Sequence, residues 1–434
     1  MSLSKLNSAV LTIALPMVIS NITTPLLGIV DTAVVGHLDH AYYIGAVSLG
    51  AMIASLIYWL CVFLRMATTG LTAQQIGKGQ THAPQVLVQG LSIAMLISIT
   101  TLIISPLIIS TGLQIADASA EVSFYAKQYF DIRIWSTPAA LANLVLVGWL
   151  IAQQRTKLVM WVQIAINLVN IVLDLTLVVY WDLKIIGVAS ASVLVEYLAL
   201  IIYLVVTYQI LDKTTCIKIL FNRDQFKGFK RFLSVNKDIL IRTLCLELCF
   251  VYMHFHGAKL GDTTLAVNAV LLNFLMLIAL GLDGIAYSAE VLIGKAYGAK
   301  KRRKLRVIFK LCLRWNLALA IGYSLVFLLL GQQIINLMTD IASVQSNAMH
   351  FIIYIVLLPV IACWCFLYDG VYIGLADSRT MRNSMIISVF LVFFPAAILL
   401  QAWQNHALWL AMLGLMAARG LSLAWHFNRR YYSI

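Results

Sequence analysis

Charge is scarce in this chain: Asp, Glu, Lys and Arg make up 11% of its 434 residues. Soluble domains carry roughly 25%, so an ordinary water-facing surface is excluded. The seven cysteines, Cys61, Cys216, Cys245, Cys249, Cys312, Cys363 and Cys365, show no paired metal or redox spacing and read as small core residues. His254 and His256 are two apart, about 200° around a helix, so they make no chelating pair. The chain holds no Gly-rich phosphate loop, no Ser/His/Asp set in supporting context and no soluble catalytic domain. ATP-driven pumping by this chain alone and enzyme chemistry are both disfavoured, and neither a metal nor another cofactor is expected. Energy for uphill work has to come from an ion gradient.

Apolar sequence is what the chain has in excess, at 62% of residues and a mean hydropathy of +0.91. Crossing about 30 Å of hydrocarbon takes roughly 20 residues of helix. Runs of that length number about twelve: 9–35, 46–73, 85–110, 122–150, 158–181, 185–210, 238–260, 264–294, 306–331, 343–375, 381–402 and 407–427. The expected fold is an all-α polytopic membrane protein. Lys5 is the only charged residue before the first run, which is too long for a signal-peptide core, so the segment is expected to be retained.

The net charge of +13 sits in short stretches between these runs, the pattern of cytoplasmic loops rather than of a nucleic-acid-binding surface. Alternate loops carry Lys78, then Arg155 and Lys157, then seven basic residues from Lys213 to Lys237, then Lys295 with the run from Lys300 to Lys304, then Arg379 and Arg382. Retention of Lys and Arg inside places both termini in the cytoplasm. The polar, basic stretch 211–236 falls at mid-chain and reads as a linker between six-helix halves, 1–210 and 237–434.

The halves share a pattern. Ile76-Gly77-Lys78 recurs as Ile293-Gly294-Lys295; Phe130 and Pro138 recur as Phe351 and Pro359; Ala152, Arg155 and Thr156 recur as Ala376, Arg379 and Thr380. The offsets drift slowly, through 217, 221 and 224 residues, as expected of a duplication. Six helices per copy put both copies into the membrane in the same sense, with a cavity expected between them.

Polar groups inside the apolar runs are the functional candidates, because a carboxylate at membrane depth costs about 2.5 kcal/mol or more. The first run holds Asp31, and Pro16 there removes a backbone hydrogen bond and kinks the helix. On the fifth, Gln163, Asn167, Asn170 and Asp174 recur at helical spacing and form one stripe. Interhelical hydrogen bonding accounts for Gln163 and Asn167 as well as any ligand does; Asp174 is a second carboxylate. Both acids lie near the outer ends of their helices, where they are expected to line one pocket, with Asn143 and Ser192 at compatible depth. Two carboxylates in a low-dielectric pocket resist being ionised together, so such a pair can hold a proton. The second half carries Arg242, Glu247, Asp283, Glu290 and Asp369. Asp283 and Glu290 lie near the cytoplasmic end, where a charge reaches water. Glu247 and Asp369 are deeper, and bind a cation or pair with Arg242. Asp31 falls opposite roughly Met253, so the second copy lacks an equivalent acid.

Four stretches together resemble the multidrug and toxic compound extrusion (MATE) family, in its DinF-like branch, over nearly the whole chain. They are Pro16 followed by IVDTAVVGHL, the eighth-run LGLDGIAYSAEVLIGKAYGAKKRRK, the tenth-run FLYDGVYIGLADSRTMRNS, and Asn170-x-x-x-Asp174. The resemblance implies two six-helix lobes in a V around a central cavity, embedded as a monomer in the lipid of a bacterial inner membrane. It implies export of drugs or other toxic organic compounds, often cationic or amphipathic, in exchange for H⁺ or Na⁺. In DinF-like members the coupling site maps to Asp31, Asn170 and Asp174, and bending of the first helix to Pro16. The NorM-like branch uses carboxy-lobe acids, for which Glu247 and Asp369 are counterparts. Asn143, Asn167, Ser192, Glu247 and Asp369 are therefore the expected substrate-cavity residues. Lipid flippases share the architecture, and movement of a lipid-linked substrate is the alternative.

Overall fold

The computed structural model of the chain describes residues 3–36, 41–211 and 228–432, with side chains at all of these except 3, 24–36, 41, 179 and 432. Twelve helical spans among them are long and apolar enough to cross a membrane. They match the expected runs in order and number, and most extend further: the third is Pro84–Ala116 and the ninth Arg302–Met338. Hydropathy finds the apolar centre of a helix, whereas its ends are set by local backbone chemistry. Pro84, at the start of the third, has no N–H to leave unsatisfied. Ala376 ends the tenth in a left-handed conformation, and Asp377 caps the eleventh by accepting from the Thr380 N–H. Most of the 211–236 linker lies outside the described residues.

The first helix runs from Leu3 to Gly36 through Pro16 and also through Pro25. Each proline removes one ladder hydrogen bond, so this helix holds two weakened turns where the sequence reading counts one. The fifth span, Thr156–Val178, is α-helical to Asp174 and then widens into a π-turn, Leu175–Tyr180. The eleventh, Ser378–Leu399, widens in the same way at Ser388–Phe393. Turns of this kind leave the α ladder locally unsatisfied and are frequent at functional positions.

Contacts divide the chain into two compact units. The carboxy-terminal unit comprises Leu233–Ile434 together with Met1–Val18 and Ala73–Gly79; the amino-terminal unit comprises Ile19–Thr72 and Gln80–Phe232. The first helix thus begins in one unit and ends in the other.

In the carboxy-terminal unit the eighth span, Asp262–Gly298, crosses the tenth, Ala342–Leu375, on glycine. A Cβ on Gly374 would lie 2.6 Å from the Glu290 carbonyl and 3.0 Å from the Gly294 nitrogen, and one on Gly370 would collide with the Ala286 carbonyl. Backbones approach this closely only where side chains are absent, the usual basis of helix association in lipid. The same device draws in Ala73–Gly79. Gly77 lies against the Lys295 backbone, Gly298 against Gln74, and Gln74 Nε2 donates to the Gly374 carbonyl at 2.9 Å. The duplicated Ile-Gly-Lys motifs therefore pack on one another. Ser288 Oγ donates to the Val10 carbonyl at 2.8 Å, and Gly284 abuts Val18, which holds the first half of the opening helix to this unit.

In the amino-terminal unit the second and fourth spans are similarly close, Gly148 meeting the Arg65 carbonyl and accepting from Thr69 Oγ1 at 3.1 Å. The fourth span, Ala120–Ala152, is interrupted by a tight turn at Ile134–Ser136, directly after Arg133. Large apolar side chains such as Leu96, Ile103, Leu107 and Leu329 are exposed, which is costly in water and free of cost against lipid.

Candidate functional site

The stripe on the fifth span divides into two pairs. Gln163 Nε2 donates to Asn167 Oδ1 at 3.1 Å, and Asn167 Nδ2 donates in turn to the Thr23 carbonyl on the first helix at 3.3 Å. The Asn167 contact is interhelical, one of the two roles expected of that residue, whereas the Gln163 bond stays within its own helix. One turn further on, Asn170 Nδ2 donates to Asp174 Oδ2 at 2.6 Å. Asn170 is 1% exposed and Asp174 fully buried, so a carboxylate and its amide partner sit together out of water, just before the π-turn. Asp31 lies on the described part of the first helix, but its side chain is outside the described residues. Pro16 is buried within the same helix.

Asn143, on the fourth span, donates Nδ2 to both the backbone carbonyl and Oε2 of Glu196 on the sixth, each at 3.0 Å. Ser192, buried, lies one turn before Glu196. Glu196 Oε1 is 4.0 Å from the Arg133 guanidinium. The sequence reading passed over both charges, although the rule that singled out Asp31, an ionisable residue inside an apolar run, applies equally to them.

In the carboxy-terminal unit Asp369 accepts from Arg242 and, at 2.6 Å, from Arg419 Nη2. Arg419, 2% exposed, is a third missed charge, standing in the apolar twelfth span Asn405–Tyr431. Two guanidiniums on one carboxylate leave a net positive group, and Asp283 lies within electrostatic reach of Arg419 to balance it. Both arginines bond Oδ2, and their two positive charges oppose a further cation at Asp369. Glu247 is half-buried and has no hydrogen bond or ion pair among the described residues. Glu290, expected to reach water, is instead 2% exposed, because its turn of helix packs on Gly374. Among the described residues no group of three or more His, Cys, Asp or Glu is placed to hold a metal ion. A cavity of about 230 Å³ between Leu260, Phe351, Trp403 and Asn405 contains none of these candidates.

Residues 16–176 and 239–399 each match the MatE family, at the same separation of 223 residues at both ends. The chain belongs to the MatE family. A MATE protein is a transporter and not an enzyme, and this one is a multi-pass membrane protein. The match in two copies accords with the internal repeat; at its separation Asp31 falls opposite His254, again not an acid. The chain is 41% identical to DNA damage-inducible protein F of Escherichia coli (strain K12), over 96% of this chain and 91% of that protein. It is 22% identical to a probable multidrug resistance protein NorM of Bacillus cereus, over 92% and 90%. Among solved structures, a MATE protein in the bent conformation superposes with a TM-score of 0.88 at 18% identity, over 99% of this chain and 97% of that one. An outward-facing multidrug resistance MATE transporter superposes with a TM-score of 0.87 at 18% identity, over 98% and 96%. At such identities the likeness is one of fold.

Proposed function

We propose that this MATE protein is a proton-coupled antiporter of a bacterial inner membrane that exports cationic or amphipathic organic compounds by alternating access between lobes 1–210 and 237–434. Both termini are cytoplasmic in this reading, and the monomer is the working unit. Asp31 takes the external proton, Asn170 and Asp174 are its partners, and Pro16 is the bend through which protonation changes the first helix. The names of the NorM relatives support drugs as the cargo.

The observation that carries the coupling site is the contact between Asn167 and the Thr23 carbonyl, 3.3 Å. Both helices are odd-numbered spans and cross the membrane in the same sense. Counting from that contact, Asp174 is seven residues further along one helix and Asp31 eight along the other. At 1.5 Å per residue the two backbones reach about the same height, within roughly 2 Å. Packed helices lie about 8–10 Å apart, within the span of two facing carboxylate side chains. A second support is the contrast between the units: Asp174 accepts from an amide, Asp369 from two guanidiniums. The energetics suffice. One charge crossing 100 mV gains about 2.3 kcal/mol, comparable with the few kcal/mol that separate two conformers.

The test is dye efflux by everted vesicles under an imposed pH gradient, with a sodium gradient at fixed pH as the comparison. Efflux that follows sodium and ignores pH would replace the proton with Na⁺. A labelled lipid moving in place of dyes would favour the flippase alternative.

A further inference from the structure

Glu196 stands 12 residues into the sixth span, Lys184–Leu211, which places it about 18 Å from that end of the helix, near mid-bilayer. It lies on the buried face, in line with Ser192, Ala199 and Tyr203, all under 9% exposed, yet its own side chain is 31% exposed. A residue in the middle of a packed face that remains accessible borders a space within the helix cluster, not the lipid.

The hydrogen bonds around it leave acceptors over. Both partners of Asn143 Nδ2, a carbonyl and a carboxylate oxygen, accept only, and this fixes which way the Asn143 amide faces. Asn143 Oδ1 is then left buried without a donor, on a residue 8% exposed. Glu196 Oε1 also accepts no hydrogen bond among the described residues, its nearest cation being Arg133 at 4.0 Å, too far to donate. Arg133 is held from its other side, stacked over the Tyr58 ring at 5.2 Å and donating to Ser136. The ion pair is thus neutral overall but not closed.

We propose that Glu196 Oε1 and Asn143 Oδ1 form a subsite for the charged, N–H-bearing group of an organic cation. The inference rests on the transport reading above and adds the residue that reads substrate charge, separate from the ion-coupling residues. The ligand supplies the two missing donors. Arg133 keeps the empty site near neutrality, so a cation is held by hydrogen bonds and charge without being trapped, as an exporter that must release its cargo requires.

The test uses purified full-length protein and three probes: ethidium, a cation with amine N–H groups; tetraphenylphosphonium, a cation with none; and Nile red, which is uncharged. In Glu196→Gln the affinity for either cation relative to Nile red should fall about tenfold or more, the size expected for a charge-assisted contact. Asn143→Leu should weaken ethidium and spare tetraphenylphosphonium. Should the glutamine variant not fold, Glu196→Asp, which withdraws the charge by one methylene, carries the test through a severalfold fall in the same ratio. A ratio unchanged from that of wild type overturns the subsite while leaving the transport reading standing. Wild-type protein that binds and exports none of the probes overturns both.

Discussion

Asn170 donates its side-chain amide to Asp174 one helical turn away, across 2.6 Å and out of contact with water. A hydrogen bond to a charged group contributes about 1.5–3 kcal/mol, and in a low-dielectric site its loss is not made good by water. Asn170→Leu should therefore lower the melting temperature in detergent and reduce dye efflux. In Asp174→Asn the further change Asn170→Leu should cost much less. Equal losses from Asn170→Leu in the two backgrounds, read as a double-mutant cycle, would show that the pair is not coupled.

Asn167 is expected to behave otherwise. Its amide ties the fifth span to the Thr23 carbonyl, and hydrogen bonds between helices in lipid average about 0.6 kcal/mol. Asn167→Leu should cost roughly that and leave the number of protons exchanged per substrate unchanged. A changed stoichiometry would make Asn167 part of the coupling site.

Asp369 is a structural charge in this account. Asp369→Asn would leave Arg242 and Arg419 buried without their carboxylate, at a cost of about 3–5 kcal/mol. Arg419→Met leaves the Arg242–Asp369 pair intact and should cost less. Thermal unfolding of the two variants gives the order, and a more stable Asp369→Asn would contradict it.

Two glycines provide an internal control. A Cβ at Gly374 meets the Glu290 carbonyl at 2.6 Å, while one at Gly322 meets nothing within 4 Å. Gly374→Ala should destabilise by about 1–3 kcal/mol through overpacking. Gly322→Ala should be neutral or stabilise by up to about 1 kcal/mol through helix propensity. Melting temperatures in detergent compare them directly.

The sequence was legible where a signal is local. Hydropathy located all twelve spans, and helical spacing put Gln163, Asn167, Asn170 and Asp174 on one face. What it did not disclose depends on partners distant in the chain. Arg133 and Glu196 are single charges on different helices and become a site only when the fourth and sixth spans pack; Arg419 acquires meaning from Asp369 in the same way. The assignment of Met1–Val18 and Ala73–Gly79 to the carboxy-terminal unit follows from backbone contacts at Gly284, Gly77 and Gly298. Their glycines are visible in the sequence, but what they touch is not. The π-turns after Asp174 and at Ser388 have no residue signature at all.

Proton-coupled export through the first helix is tested most directly by Asp31→Asn in everted vesicles. Ethidium efflux is followed under an imposed pH gradient, alongside wild type at equal protein. The account predicts that the variant still binds ethidium but loses pH-driven efflux. Undiminished pH-driven efflux by Asp31→Asn would contradict it.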